Sequence, residues 1–160
     1  MSVTASLMRR PRRRRWWLVA LIVSAPTYVL AAGAHDTQPA PTSARTTWDS
    51  VFTAEQAARG QTAYARTCSR CHQPALGGAD ESPPLAGGAF LSSWNGQTLG
   101  ELHDRVRTSM PTDDPGIYSR QEVADVIAYV LSFNGYPAGN SELPVDDGAL
   151  RAIVFSSTKP

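Results

Sequence analysis

Only two cysteines occur among the 160 residues of this chain. Two thiols cannot form a disulfide scaffold, nor a four-thiolate zinc or iron–sulfur site. Long apolar runs are also missing. The longest, Trp16 to Leu30, is about 15 residues, short of the roughly 20 that a bilayer-spanning helix needs, and Pro26 interrupts it. No segment alternates apolar and polar residues well enough to predict a strand. Lys and Arg number 15, but six of them lie between Arg9 and Arg15. They form an N-terminal block and not a patch on a folded face, which argues against nucleic-acid binding. With 18% charged and 8% aromatic residues, the composition is that of one modest globular domain behind a leader.

That leader has a basic start, the apolar run, and then Ala32-Gly33-Ala34, the small-x-small pattern of a signal-peptidase site. A signal peptide over residues 1–34, cut after Ala34, is expected. The alternative is an uncleaved membrane anchor. Either way the protein is exported, which predicts a periplasmic location. Beyond Ala34 remain nine basic and 14 acidic residues, a formal charge of −5.

Residues 35–50 are rich in Pro, Thr, Ser and Ala and read as a flexible linker, with order beginning near Trp48. Three helix starts share one signature: a hydroxyl residue followed three positions later by Gln or Glu. They are Thr53 with Gln56, Thr98 with Glu101 and Ser119 with Glu122. Leu99, Leu102 and Val106, then Val123, Val126, Ile127 and Val130, repeat at helical spacing behind two of them. Ala57, Gly60 and Tyr64 form a thinner stripe in which Gly60 permits close approach of another helix. Long Gly/Pro stretches lie between. Three short helices supply a thin core, so something other than side chains is expected to complete it.

Cys68-Ser69-Arg70-Cys71-His72 supplies that piece. C-x-x-C-H is the attachment signature of c-type haem. Two thiols three positions apart can add across the two vinyl groups on one porphyrin edge, and the adjoining His72 is then carried under the ring toward iron. Competing readings are weaker on the same residues. A disulfide across C-x-x-C closes a trivial loop and stabilises little. A thiol–disulfide oxidoreductase using Cys68 and Cys71 expects a strand before the motif, where a helix is predicted. Zinc needs four ligands, and only His35 and His103 lie outside the motif beyond the leader.

A second axial ligand is available. Met1 and Met8 lie in the leader, so Met110 is the single thioether beyond it, placed in a loop and stiffened by Pro111. His103, on the face of Leu99, Leu102 and Val106, is the rival. Histidine–thioether ligation favours Fe(II) and closes iron to exogenous substrates, which points to outer-sphere electron transfer.

These residues together resemble the class I c-type cytochromes over about Val51 to Phe133. The likeness rests on the 68–72 motif, Pro83-Pro84-Leu85, Trp94, Met110-Pro111 and the closing Ala128-Tyr129-Val130. It implies an all-α cytochrome c-like fold of three main helices and long loops around one covalent haem c, with a domain over 51–145. It implies that the first and last helices cross, and that the Pro84 carbonyl accepts from the His72 ring, with Pro83 as rival. It also implies that Leu85 packs on the haem and that Trp94 lies beside a propionate. More narrowly, VFTAEQAARGQTAYARTCSRCH and NGYPAGNSELP are similar to segments of cytochromes that accompany, or are fused to, quinoprotein (pyrroloquinoline-quinone) alcohol dehydrogenases. That likeness implies such a dehydrogenase as electron donor and a cytochrome or oxidase of the respiratory chain as acceptor. The tail over 146–160, including Leu150 to Phe155, has no assigned place.

Overall fold

The computed structural model describes residues 44–159. The expected signal peptide, its cut after Ala34 and most of the linker lie outside these residues. Among the described residues six helices follow one another: α1 (Ala54–Arg66), α2 (Ser69–His72), α3 (Gly87–Trp94), α4 (Leu99–Ser109), α5 (Arg120–Phe133) and α6 (Asp147–Arg151). Two strands of two residues each, β1 (Arg45–Thr46) and β2 (Ile153–Val154), pair in parallel, Arg45 opposite Ile153. The fold is otherwise all-α, as expected. Among the described residues no helix is long and apolar enough to cross a membrane.

All three predicted helix starts are present. Thr98 with Glu101 and Ser119 with Glu122 form reciprocal capping boxes. The backbone N–H that each glutamate accepts holds its carboxyl below the usual range. At α1 only half of the box forms: Thr53 accepts from the Gln56 N–H at 3.1 Å. The Gln56 side chain turns inward instead, donating to the Leu143 carbonyl and accepting its N–H. A fully buried amide must satisfy both ends, and Leu143 offers both.

The first and last large helices, α1 and α5, cross at Gly60. A Cβ there would overlap the Asp125 carbonyl and press on Tyr129. One turn on, the rings of Tyr64 and Tyr129 pack at 5.3 Å. Asp125, buried in the crossing, takes both arms of the Arg59 guanidinium at 3.0 and 3.1 Å, plus the Gln121 amide. Fixed charge pairing thus sets the rotation of the two helices, while glycine sets their separation.

Two boundaries differ from the sequence reading. Residues 44–50 are not linker: Thr47 is fully buried, and both Trp48 Nε1 and the Tyr136 hydroxyl donate to the Ser156 carbonyl. The tail, unplaced from sequence and set outside the 51–145 domain, packs into the core. Leu150, Ile153 and Phe155 are each wholly buried, worth roughly 1.5–3 kcal/mol apiece, too much for an appendage of a small domain. Composition misled in the first case, because two polar residues of that stretch, Arg45 and Thr46, pair with a strand more than 100 positions away.

The α4 stripe divides between two environments. Leu102 and Val106 look one way, whereas Leu99 and His103, four apart, are fully buried on another side. His103 Nε2 donates to the Arg120 carbonyl at 3.1 Å, and Nδ1 has no protein partner. Burial pushes this imidazole below the ordinary histidine range; the hydrogen bond to the Arg120 carbonyl and the Asp104 charge oppose it, and the Arg120 and Arg107 charges add to it.

Replacing Gly60 with Ala forces α1 and α5 apart. The expected cost is about 1–3 kcal/mol or more, read as a lower denaturation midpoint at unchanged helix content. His103 predicts a pH dependence. A group neutral when folded but protonated when unfolded makes the unfolded chain bind more protons below about pH 6.5. Stability should fall as pH drops through that value and be insensitive to His103 above it. In His103→Gln, which keeps a donor for the Arg120 carbonyl, that part of the slope should flatten; an unchanged slope would assign it to another group.

Candidate functional site

Helix α1 ends at Arg66, and Thr67 and Cys68 lead directly into α2. The N–H groups of Cys71 and His72 both return to the Cys68 carbonyl, at 3.2 and 2.9 Å. In a helical turn, residues three and four positions apart share a side, so Cys68, Cys71 and His72 all border one cavity of about 630 Å³. That volume lies within the roughly 300–1,000 Å³ of small-molecule and cofactor sites. Both cysteines are free, Cys68 half-buried and Cys71 exposed. Burial pushes the Cys68 thiol up. A redox thiol needs the opposite shift, and a helix precedes the motif, so the geometry does not favour thiol–disulfide chemistry.

His72 is held from behind. Its Nδ1 lies 2.8 Å from the Pro83 carbonyl. A carbonyl oxygen only accepts, so Nδ1 carries the proton and Nε2 keeps its lone pair. The sequence-based expectation named Pro84; the partner is Pro83. The reason is peptide geometry. The Leu85 N–H donates to the Leu76 carbonyl at 2.8 Å, and in a trans peptide the Pro84 carbonyl points the other way from that N–H. Its peptide unit is already committed.

The loop carrying Pro83 depends on a glycine. Gly78 has φ +71°, and a Cβ there would sit 2.5 Å from the Ser82 carbonyl oxygen and 2.7 Å from Pro84 N. Ala79 and Ser82 exchange both backbone hydrogen bonds, at 3.0 and 2.8 Å, which folds the loop back toward His72. Two side chains then clamp it. The Tyr64 hydroxyl donates to the Gln73 carbonyl at 2.7 Å. Asn134, just past α5, donates to the Leu85 carbonyl and accepts the Gly87 N–H, each at 3.0 Å. Gly78 and Asn134 were not singled out from sequence. Their only signals were a glycine inside a Gly/Pro stretch and an Asn at a helix end.

Met110 reaches the same cavity from a separate segment. It caps α4 in extended conformation, its N–H returning to Val106. Pro111 disfavours helical backbone in the residue before it, which ends the helix there. Pro84, Leu85 and Trp94 also line the cavity, Trp94 from the end of α3. Val123, Val126, Ile127 and Val130 of α5 supply much of the apolar wall, with Leu102 and Val106 of α4. Arg70 and Arg105 are basic groups at its edge that sequence reasoning passed over. His103, the rival ligand, does not border the cavity; it lies beyond the Leu102–Val106 face, engaged with Arg120.

Two thiols on one turn, an imidazole with a free Nε2, a thioether and an apolar enclosure are the donor set and surroundings that a covalently attached haem requires. Residues 57–134, just under half of the chain, match the cytochrome c family model. No curated protein matches the chain. Among solved structures, the sulfane dehydrogenase SoxCD from Paracoccus pantotrophus is similar at 21% identity with a TM-score of 0.44, over 67% of this chain and 61% of that one. The segment holding the 68–72 motif is therefore a cytochrome c family domain, and its cofactor is covalently bound haem c.

Proposed function

We propose that the protein is an exported monohaem electron carrier. In this reading it takes single electrons from a quinoprotein dehydrogenase in the periplasm and passes them to a cytochrome or oxidase of the respiratory chain. One observation carries the electron-carrier part: His72, with Nδ1 committed to Pro83, and Met110 border the same cavity as Cys68 and Cys71. The identity of the donor rests on the likeness of the 51–72 and 134–144 segments to quinoprotein-associated cytochromes.

The bound haem supplies one-electron Fe(III)/Fe(II) chemistry. Cys68 and Cys71 hold it covalently, so it cannot exchange. His72 offers Nε2 to iron, and the Pro83 carbonyl fixes the ring's tautomer and orientation while making the nitrogen a stronger donor. Met110 would offer the soft, neutral thioether that favours Fe(II) and would close the iron to exogenous substrates. The valines and Ile127 of α5 exclude water, which penalises the more highly charged ferric state. Arg105 and Trp94, at the edge, suit the anionic propionates.

The replacement of Cys68 and Cys71 by Ser should abolish haem staining after denaturing electrophoresis; staining that persists would contradict covalent attachment. Met110→Ala should remove the far-red charge-transfer band of ferric thioether-ligated haem. It should also lower the potential by at least one decade in the Fe(III)/Fe(II) ratio, about 59 mV for one electron. If His103→Ala produced that change, the ligand assignment would be wrong. Gly78→Ala should displace the Pro83 carbonyl, lowering thermal stability and shifting the optical spectrum while leaving haem attached. Reduction of the purified protein by a quinoprotein alcohol dehydrogenase, at a rate well above that with other dehydrogenases, tests the donor. Equal, slow rates with all would remove that assignment.

A further inference from the structure

Helix α3, one wall of the cavity, is short; its N-cap residue Ala86 gives no side-chain cap, and its start is held only from outside, by Asn134 on the Gly87 N–H. Its inward residues, Phe90, Ser93 and Trp94, border the haem cavity. What holds its other end comes from residues 155–157. Phe155 exchanges two backbone hydrogen bonds with the turn just beyond Trp94: Gly96 N–H to the Phe155 carbonyl at 2.8 Å, and Phe155 N–H to the Gln97 carbonyl at 2.7 Å. The Ser157 N–H and hydroxyl both donate to Asn95 Oδ1 at 2.9 Å. The Phe155 ring, wholly buried, meets Phe90 edge-on at 5.7 Å and 87°. Behind it stand Tyr136, at 5.6 Å, and then Trp48, 4.6 Å from Tyr136. Phe155 itself does not border the cavity.

We propose that Phe155 is a positioning residue for the cofactor. Through the edge-on contact with Phe90 and the paired backbone bonds to the 96–97 turn, the C-terminal segment fixes the α3 wall against the haem and sets how much water reaches that side of it. This rests on the cavity being the haem site. A wall held in place keeps the local dielectric low and so favours Fe(II); a loosened one admits water and favours Fe(III).

The test uses the full-length holoprotein. Phe155→Ala is expected to lower the reduction potential by up to a tenfold change in the Fe(III)/Fe(II) ratio, about 59 mV, with haem still covalently bound and the thioether band retained. Leu143→Ala is the control. Leu143, like Phe155, is buried without bordering the cavity, but its backbone bonds run to Gln56 of α1 and not to the turn after α3, so that variant should lose stability with no change in potential. Should Phe155→Ala not accumulate as folded protein, Phe155→Leu replaces it. That variant keeps most of the apolar volume, loses the edge-on ring, and should shift the potential the same way by a smaller factor. An unchanged potential in both Phe155 variants, or an equal shift in Leu143→Ala, would overturn the proposal. Loss of haem in the wild type as well would instead indict the reading of the site.

Discussion

The hydrogen bond between His72 Nδ1 and the Pro83 carbonyl decides what the rest of the molecule can do. It selects the tautomer that leaves Nε2 free, and it fixes the ring relative to the two cysteines on the same turn. A single backbone carbonyl cannot hold that position alone. Gly78 turns the loop, Leu85 pins it to Leu76, and Asn134 ties it to the end of α5. The histidine is therefore anchored, through one loop, to the helix that supplies the apolar wall.

That helix is anchored in turn. The α1–α5 crossing combines a glycine contact, which requires the backbones to touch, with a buried carboxylate gripped by Arg59 and Gln121. A buried charge of this kind costs desolvation and contributes little net stability, but it penalises any other rotation of the helices. The Cys68–His72 turn follows α1 after only two residues, so an error in the crossing would be carried directly to the two cysteines and His72. Precision at the site thus begins at Gly60 and Asp125.

Much of this was legible in the sequence where a local rule applied. The three hydroxyl-x-x-acid/amide signatures located α1, α4 and α5, because capping is settled within four residues. The 68–72 motif identified the cofactor, and the scarcity of methionine isolated Met110. Long-range choices were not legible. Gln56 abandoned its cap for Leu143, 87 positions away. Pro83 displaced Pro84 because Leu85 was already bonded to Leu76. His103 shares a helical stripe with Leu102 yet faces elsewhere, since a stripe wide enough to serve two neighbours does not say which residue meets which. Residues 44–50 and 146–157 looked like linker and tail for the same reason: each is ordered by partners distant in sequence, namely the other segment, Tyr136, α4 and the turn after α3.

The arrangement of His72 and Met110 about the cavity is best tested by nuclear magnetic resonance of the ferrous holoprotein labelled at histidine nitrogens and methionine methyls. His72 should show a protonated, hydrogen-bonded Nδ1 and an iron-perturbed Nε2. One methionine methyl, assigned to Met110, should lie far upfield, within the ring current of the porphyrin. An iron-perturbed His103, or a Met110 methyl at its ordinary position, would contradict the arrangement described.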